Sequence, residues 1–178
     1  MAPVRGSPVC LREPSAKDEA DFLEMVSASG TLHHPWIDPP ADAAGFRAFL
    51  EREHMPNMAS FLVRRREDDA LVGVYNISEI VRGAFQSGYL GYYANARLAG
   101  RGLMADGLRL VIRHAFGPMK LHRLEANIQP GNERSIALVR AVGFRREGLS
   151  PRYLKIGGRW RDHERWAITV EDARRARG

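Results

Sequence analysis

Tyr89-Leu-Gly-Tyr-Tyr-Ala-Asn-Ala-Arg-Leu-Ala-Gly-Arg-Gly-Leu-Met104 is the stretch that organises the chain. It opens as an aromatic, strand-favouring run and closes in a glycine-spaced turn, Arg97-x-x-Gly100-x-Gly102. Directly after it, Leu103, Leu108, Val111, Ile112 and Ala115 recur at helical spacing over Leu103–Phe116. A strand feeding a helix through such a turn leaves the first helical N–H groups bare. Together with the positive end of the helix dipole they form an anion site, and glycines at 100 and 102 let the backbone approach it. The anion that suits this turn best is a pyrophosphate. The spacing is neither G-x-G-x-x-G nor a Gly-Lys-Ser/Thr phosphate loop. Taken alone, the turn is also compatible with a plain strand–turn–helix connection.

The 178 residues, 44% hydrophobic and 27% charged, suit one globular domain over 1–178 with a real core. No apolar run approaches the length of a membrane span, and arginines and prolines interrupt the first residues where a signal peptide would be apolar. One cysteine, Cys10, excludes an internal disulfide, and a cytoplasmic protein is expected. The net charge of +6 suits a polyanionic ligand but is too diffuse to indicate specific nucleic-acid binding. Residues 171–178 read as a frayed basic tail. The six histidines show no metal-ligand spacing, so no metal is expected.

Read in order, Val9–Glu13 is a strand, and Ser15 with Asp18 caps a helix over Ala16–Ser27. Gly30–Ala41, with its three prolines, is a loop carrying His33, His34, Trp36 and Asp38. Asp42 caps a helix to Glu53. Strands Ser60–Arg66, Ala70–Ile80 and Ser87–Ala94 form an antiparallel meander. Strand Leu121–Ile128, reached through a helix, is expected parallel to Ser87–Ala94. A helix over Asn132–Val142 and a hairpin of Phe144–Lys155 with Trp160–Val170, turning at Gly157-Gly158, complete the chain.

This order resembles the GNAT superfamily of acyl-CoA N-acetyltransferases. The turn matches that superfamily's R/Q-x-x-G-x-G/A pyrophosphate loop. The likeness is to the ribosomal-protein-alanine N-acetyltransferase branch, of RimJ type. It is carried by Leu71-Val72-Gly73-Val74, Asn76, Val81-Arg82-Gly83, Tyr89-Leu90-Gly91-Tyr92 and Gly100-Arg101-Gly102-Leu103-Met104. It continues through His122-Arg123, Ala126-Asn127, Asn132-x-x-Ser135, Gly143-Phe144, Glu147-Gly148 and Gly158-x-Trp160-Arg161-Asp162-His163. The first 60 residues match more loosely.

The resemblance implies an α+β GNAT fold: a mixed, mostly antiparallel seven-stranded sheet, splayed at its centre and flanked by about four helices. It implies acetyl-CoA as donor and direct attack by a primary amine. The amine would be a protein N-terminus of ribosomal-alanine type or, alternatively, an aminoglycoside or polyamine. A non-catalytic acyl-CoA-binding module is a further alternative, and the assembly would be a monomer or homodimer. In this reading the central strand parts from its parallel neighbour beyond a bulge, and Tyr92, Tyr93 and Ala94 meet the pantetheine arm. Leu98, Ala99, Gly100, Gly102, Leu103 and Met104 cradle the pyrophosphate, and Arg97 and Arg101 add charge. Asn127 and Asn132 bind the donor, and Ser135 lies near the thioester sulfur as candidate acid.

The chain departs from the wider superfamily in two places. Val139 stands where many members carry a tyrosine acid, and Tyr89 where many carry a glutamate base. Ser135 and Glu79 are therefore the catalytic candidates, with His34 and Asp38 as other possible bases. His34, Trp36, Asp38, Asn76 and Tyr89 are expected at the acceptor. An α-amine titrates near pH 8 and a lysine amine near pH 10.4, so an N-terminal acceptor asks less of the base.

Overall fold

The computed structural model describes residues 6–175. Seven strands form one sheet in the order β1-β2-β3-β4-β5-β7-β6. They are β1 (Val9–Arg12), β2 (Ala59–Arg65), β3 (Leu71–Val81), β4 (Ser87–Ala94), β5 (Arg123–Ile128), β6 (Arg145–Ile156) and β7 (Arg159–Thr169). Every pairing is antiparallel except β4 with β5. That pairing holds for three residues, ending at Tyr89 opposite Glu125, and the strands then part. The sheet is therefore open at its centre, along the edge of Leu90–Ala94.

The parting occurs without the expected bulge: the β4–β5 register is unbroken. The irregularity lies instead on the other side of β4, in β3 between Ser78 and Val81, where Glu79 has φ +48°. The hairpin joining β6 and β7 turns on Gly157 and Gly158, both at positive φ (+56° and +75°), as a two-residue turn of primed type requires.

Six α-helices occur among the described residues: α1 (Glu19–Ala28), α2 (Gly30–His33), α3 (Ala43–Arg52), α4 (Leu103–Phe116), α5 (Glu133–Ala141) and α6 (Val170–Arg175). Four are the helices expected from sequence; α2 and α6 were not. Residues 30–33 add a helical turn after α1, so this part of the loop is not irregular as its glycine and prolines suggest. The prolines begin only at Pro35, beyond that turn. Residues 170–175 are helical rather than frayed, because Asp172 accepts hydrogen bonds from the Thr169 amide (3.0 Å) and hydroxyl (2.9 Å). The end of the expected tail, 176–178, lies outside the described residues.

Helices cover the sheet on both sides. On one, α4 lays Leu103, Leu108, Val111, Ile112 and Ala115, all buried, against β1–β3, with Val139 of α5 in the same cluster. Gly107 is required there, since a Cβ would stand 2.9 Å from both Val63 methyls. On the other side, Phe22 of α1 meets Phe46 and Phe49 of α3 at ring-centroid distances of 4.8 and 5.4 Å, over Leu62, Val74 and Tyr93. Burying such side chains contributes roughly 1.5–3 kcal/mol each before the entropy of ordering is subtracted. Two layers over one sheet thus hold β3 and β4 rigid up to the point where β4 and β5 diverge.

Candidate active site

A cleft of about 830 Å³ occupies the opening between β4 and β5. One wall is the unpaired run Leu90–Ala94. The register places Tyr92 and Ala94 opposite Tyr75 and Gly73. Asn95 N–H donates to the Val72 carbonyl at 2.8 Å, so in the alternating antiparallel ladder the backbone groups of Tyr92 and Ala94 point away from β3 and into the opening. His33 Nε2 donates to the Ala94 carbonyl at 2.8 Å and fixes this edge to α2.

The floor is the turn singled out in the sequence. Gly100 and Gly102 have φ of +76° and +75°, and a Cβ at either would meet nothing within 4 Å. Their need is conformational, because only glycine takes this backbone at little cost. Gly102 is the left-handed N-cap of α4 and offers no capping side chain, so the amides of Leu103, Met104 and Ala105 open into the cleft. The turn is anchored on both flanks. Asn95 accepts from the Arg97 amide (3.0 Å) and donates to the Leu71 carbonyl (2.9 Å), and the Tyr75 hydroxyl donates to the Met104 carbonyl at 2.8 Å.

The second wall is the β5–α5 junction. Asn132 is the N-cap of α5: its Oδ1 accepts from Ser135 N–H at 3.2 Å. Ser135 Oγ lies 2.5 Å from the Tyr92 hydroxyl across the cleft. Burial raises the Tyr92 hydroxyl well above the ordinary phenol range, partly offset by that contact, so it remains a protonated donor. Asn127, on β5, lines the cleft with its Oδ1 buried and without a hydrogen-bond partner. A buried unpaired acceptor beside an unpaired strand edge and a bare helix N-terminus fits the amides and pyrophosphate of an acyl-CoA.

Of the donor residues expected from sequence, all line this cleft except Arg97. Its guanidinium instead pairs with Glu24 of α1 at 2.6 Å, with both side chains two-thirds exposed. Arg134, in the first turn of α5, lines the cleft together with Arg101 and was not anticipated. Its position just after the Asn132 cap was the available signal. Tyr93 shares the cleft but is held in the aromatic cluster, its ring edge-on to Phe22 at 6.0 Å and its hydroxyl beside Asn76.

The acceptor residues divide sharply. Trp36 lines the cleft, half-buried; a Cβ on Gly131 would stand 3.2 Å from its ring, so it spans from the Gly30–Ala41 segment to the β5–α5 junction. Glu79, His34, Asp38, Asn76 and Tyr89 do not line it. Glu79 is exposed at the β3 bulge, which turns it out of the strand's alternation. His34 and Asp38 are exposed on the loop. Asn76 is beside the Tyr93 hydroxyl. The Tyr89 hydroxyl lies beside Tyr153, whose hydrogen bond is the main reason it is pushed up to about 12. Next to it Glu125 is held by Arg165 (2.8 Å) and Arg123 (2.9 Å); despite burial, these bonds keep its carboxyl below the usual range. On this side His33, Gln129 and His163 are among the lining residues that the sequence did not single out for the site.

Strand parting, bare helix N-terminus and hydroxyl pair define the fold and cleft of an acyl-CoA-dependent acyltransferase. Residues 9–145 match the family model described as an acetyltransferase (GNAT) domain. The chain belongs to the GNAT acetyltransferase family, in its RimJ-like branch, and is an acetyl-CoA-dependent N-acetyltransferase. It is 36% identical over 124 residues to the "Probable N-acetyltransferase YjcK" of Bacillus subtilis, covering 70% of this chain and 68% of that one. It is 41% identical over 106 residues to the [ribosomal protein uS5]-alanine N-acetyltransferase of Escherichia coli, covering 60% of this chain and 55% of that enzyme. Mycobacterium smegmatis RimJ, solved with CoA-disulfide, superposes with a TM-score of 0.83 at 30% identity, covering 92% of this chain and 82% of that one.

Proposed function

We propose that this enzyme acetylates the α-amine of a protein N-terminus, of the ribosomal-protein-alanine type, in the cytoplasm. One observation carries the choice of acceptor: among the described residues, no aspartate or glutamate lines the cleft, whereas Arg101 and Arg134 do. A polyamine or aminoglycoside brings several positive charges and needs carboxylates to receive them. A peptide N-terminus brings one amine that must be neutral to react, on an extended chain that Trp36 and Ile37 can grip. The name of the Escherichia coli relative agrees with this reading.

In the proposed reaction the donor supplies an activated thioester carbonyl. The Tyr92 and Ala94 backbone groups orient its pantetheine arm, and the amides after Gly102, with Arg101, hold its pyrophosphate. Tyr92 donates to Ser135 Oγ, leaving the Ser135 proton free for the departing thiolate. The test is a panel of amines with acetyl-CoA, read as free thiol: peptides with free N-terminal alanine should be turned over far faster than their N-terminally blocked forms, spermidine or kanamycin. Preference for spermidine would replace this reading with the polyamine one. Acetyl-CoA binding without thiol release for any amine would favour a regulatory module.

A further inference from the structure

We propose that His163 of β7 is the general base that takes the proton from the acceptor amine. The inference rests on the acetyl-transfer reading above and adds the residue that it lacks.

Three observations place His163 in that role. First, β5 stops pairing with β7 at Ile128 opposite Glu164, so His163 is the first β7 residue beyond the last β5 partner, at the open end of the cleft that it lines with Trp36 and Ile37. Second, Trp166 and Ile168 point into the α4 core, so strand alternation turns His163 with Arg165 and Ala167 to the other sheet face. That face is opposite the one carrying the hydroxyls of Tyr92 and Ser135. Third, its protonation form is set. The ring is only 3% exposed, and Nδ1–H donates to the Arg161 carbonyl at 2.9 Å, which leaves the lone pair on Nε2. Nε2 has no hydrogen-bond partner among the described residues.

The remaining surroundings agree. The Tyr153 ring packs edge-on at 6.2 Å, with the Arg165 guanidinium over that ring at 5.9 Å, and Ser150 is the cross-strand partner. Burial lowers the imidazole's pKa, against smaller raising effects of the Arg161 carbonyl and of Asp162, so the ring is neutral at pH 7. His33, the other histidine of the cleft, cannot serve: its Nε2 is committed to Ala94 and its Nδ1 is sealed from solvent. In the step, the amine nitrogen forms a bond to the thioester carbonyl carbon and gives its proton to His163 Nε2. The C–S bond breaks with its electron pair leaving on sulfur; the thiolate takes the Ser135 proton as Ser135 is reprotonated from solvent, to which His163 releases the proton that it took from the amine.

The experiment has two arms. In wild-type protein without substrates, the His163 ring nitrogens are followed by NMR from pH 5 to 8. The Nδ1–H tautomer at pH 7, with a midpoint below the ordinary value of about 6.5, supports the proposal; an Nε2–H or charged ring at pH 7 overturns it. In the second arm, His163→Gln should lower kcat for an N-terminal alanine peptide about a hundredfold and remove the acid limb of the pH profile belonging to the enzyme, with acetyl-CoA affinity by calorimetry unchanged. Imidazole should restore part of the turnover of His163→Ala. Turnover within twofold of wild type, or equal loss of acetyl-CoA binding, would overturn the proposal. If wild type binds acetyl-CoA but acetylates no peptide, the acceptor reading fails instead, and the NMR arm still decides the state of the ring.

Discussion

The donor side of the cleft and its acceptor side are built in different ways. The donor side is nearly contiguous: Leu90–Ala105 supplies a strand edge, a turn and a helix N-terminus, and residues between Asn127 and Leu138 complete it. What it offers a ligand is mostly backbone, so its function is encoded as backbone geometry, in positive-φ glycines and an Asn cap. The acceptor side gathers Thr31–His33, Trp36 and Ile37 from after α1, Gln129 from after β5 and His163 from β7. It offers side chains, and each reaches the cleft only because the sheet brings distant strands together. Local geometry leaves short motifs in a sequence, whereas convergence of distant side chains leaves none.

That contrast can be tested from the strongest expected effect downward. Ser135→Ala should reduce kcat by about a hundredfold with acetyl-CoA affinity preserved, at the low end for general acids because a thiolate leaves readily. Tyr92→Phe should reproduce part of that loss, and both losses should shrink when the donor is a thioester of a more acidic thiol. A Ser135→Ala enzyme with normal kcat would reduce the hydroxyl pair to a structural contact.

Gly102→Val should weaken acetyl-CoA binding by about ten- to thirtyfold, since a β-branched residue in the left-handed region costs at least about 1–2 kcal/mol and displaces the amides that follow. A Cβ there meets no atom within 4 Å, so the stability cost is that backbone strain alone and the melting temperature should fall by a few degrees; unchanged calorimetric affinity would remove the turn from the donor site. On the acceptor side, Trp36→Ala should raise KM for the peptide several-fold while KM for acetyl-CoA stays constant. Equal loss for both substrates would make Trp36 part of the scaffold. The smallest effect belongs to Arg97→Ala. Its exposed pair with Glu24 points away from the cleft, so acetyl-CoA affinity should change by less than about twofold. A larger loss would mean that Arg97 leaves Glu24 to reach a phosphate.

Most of the fold was legible because periodicity and punctuation agree along the chain. Strand Ser87–Ala94 and helix Leu103–Phe116 match their expected bounds residue for residue. Apart from residues 170–175, which the local Thr169–Asp172 hydrogen bonds make helical, the misreadings were tertiary. Gly30–His33 becomes helical by continuing from α1 and anchoring His33 on Ala94, against its local glycine and proline content. Glu79 is a candidate base from sequence, and the bulge in β3 leaves it exposed and outside the cleft. Tyr89 sits where the superfamily often has a base, yet its hydroxyl is engaged by Tyr153 next to the Glu125–Arg165 pair.

The sequence by itself determined strand Ser87–Ala94, helix Leu103–Phe116 and the anion turn between them at Gly100 and Gly102, because each depends on residues adjacent or nearly adjacent in the chain. Only the tertiary structure decided which polar side chains share the cleft. Asn127 became a buried, unpaired acceptor because β5 swings away from β4, and Ser135 met Tyr92 because α5 returns across that gap. His163 entered because β7 outruns β5 by the residues needed to reach the open end. Those placements depend on strand parting, register and relative strand length, which are properties of the assembled sheet and of no single segment in it.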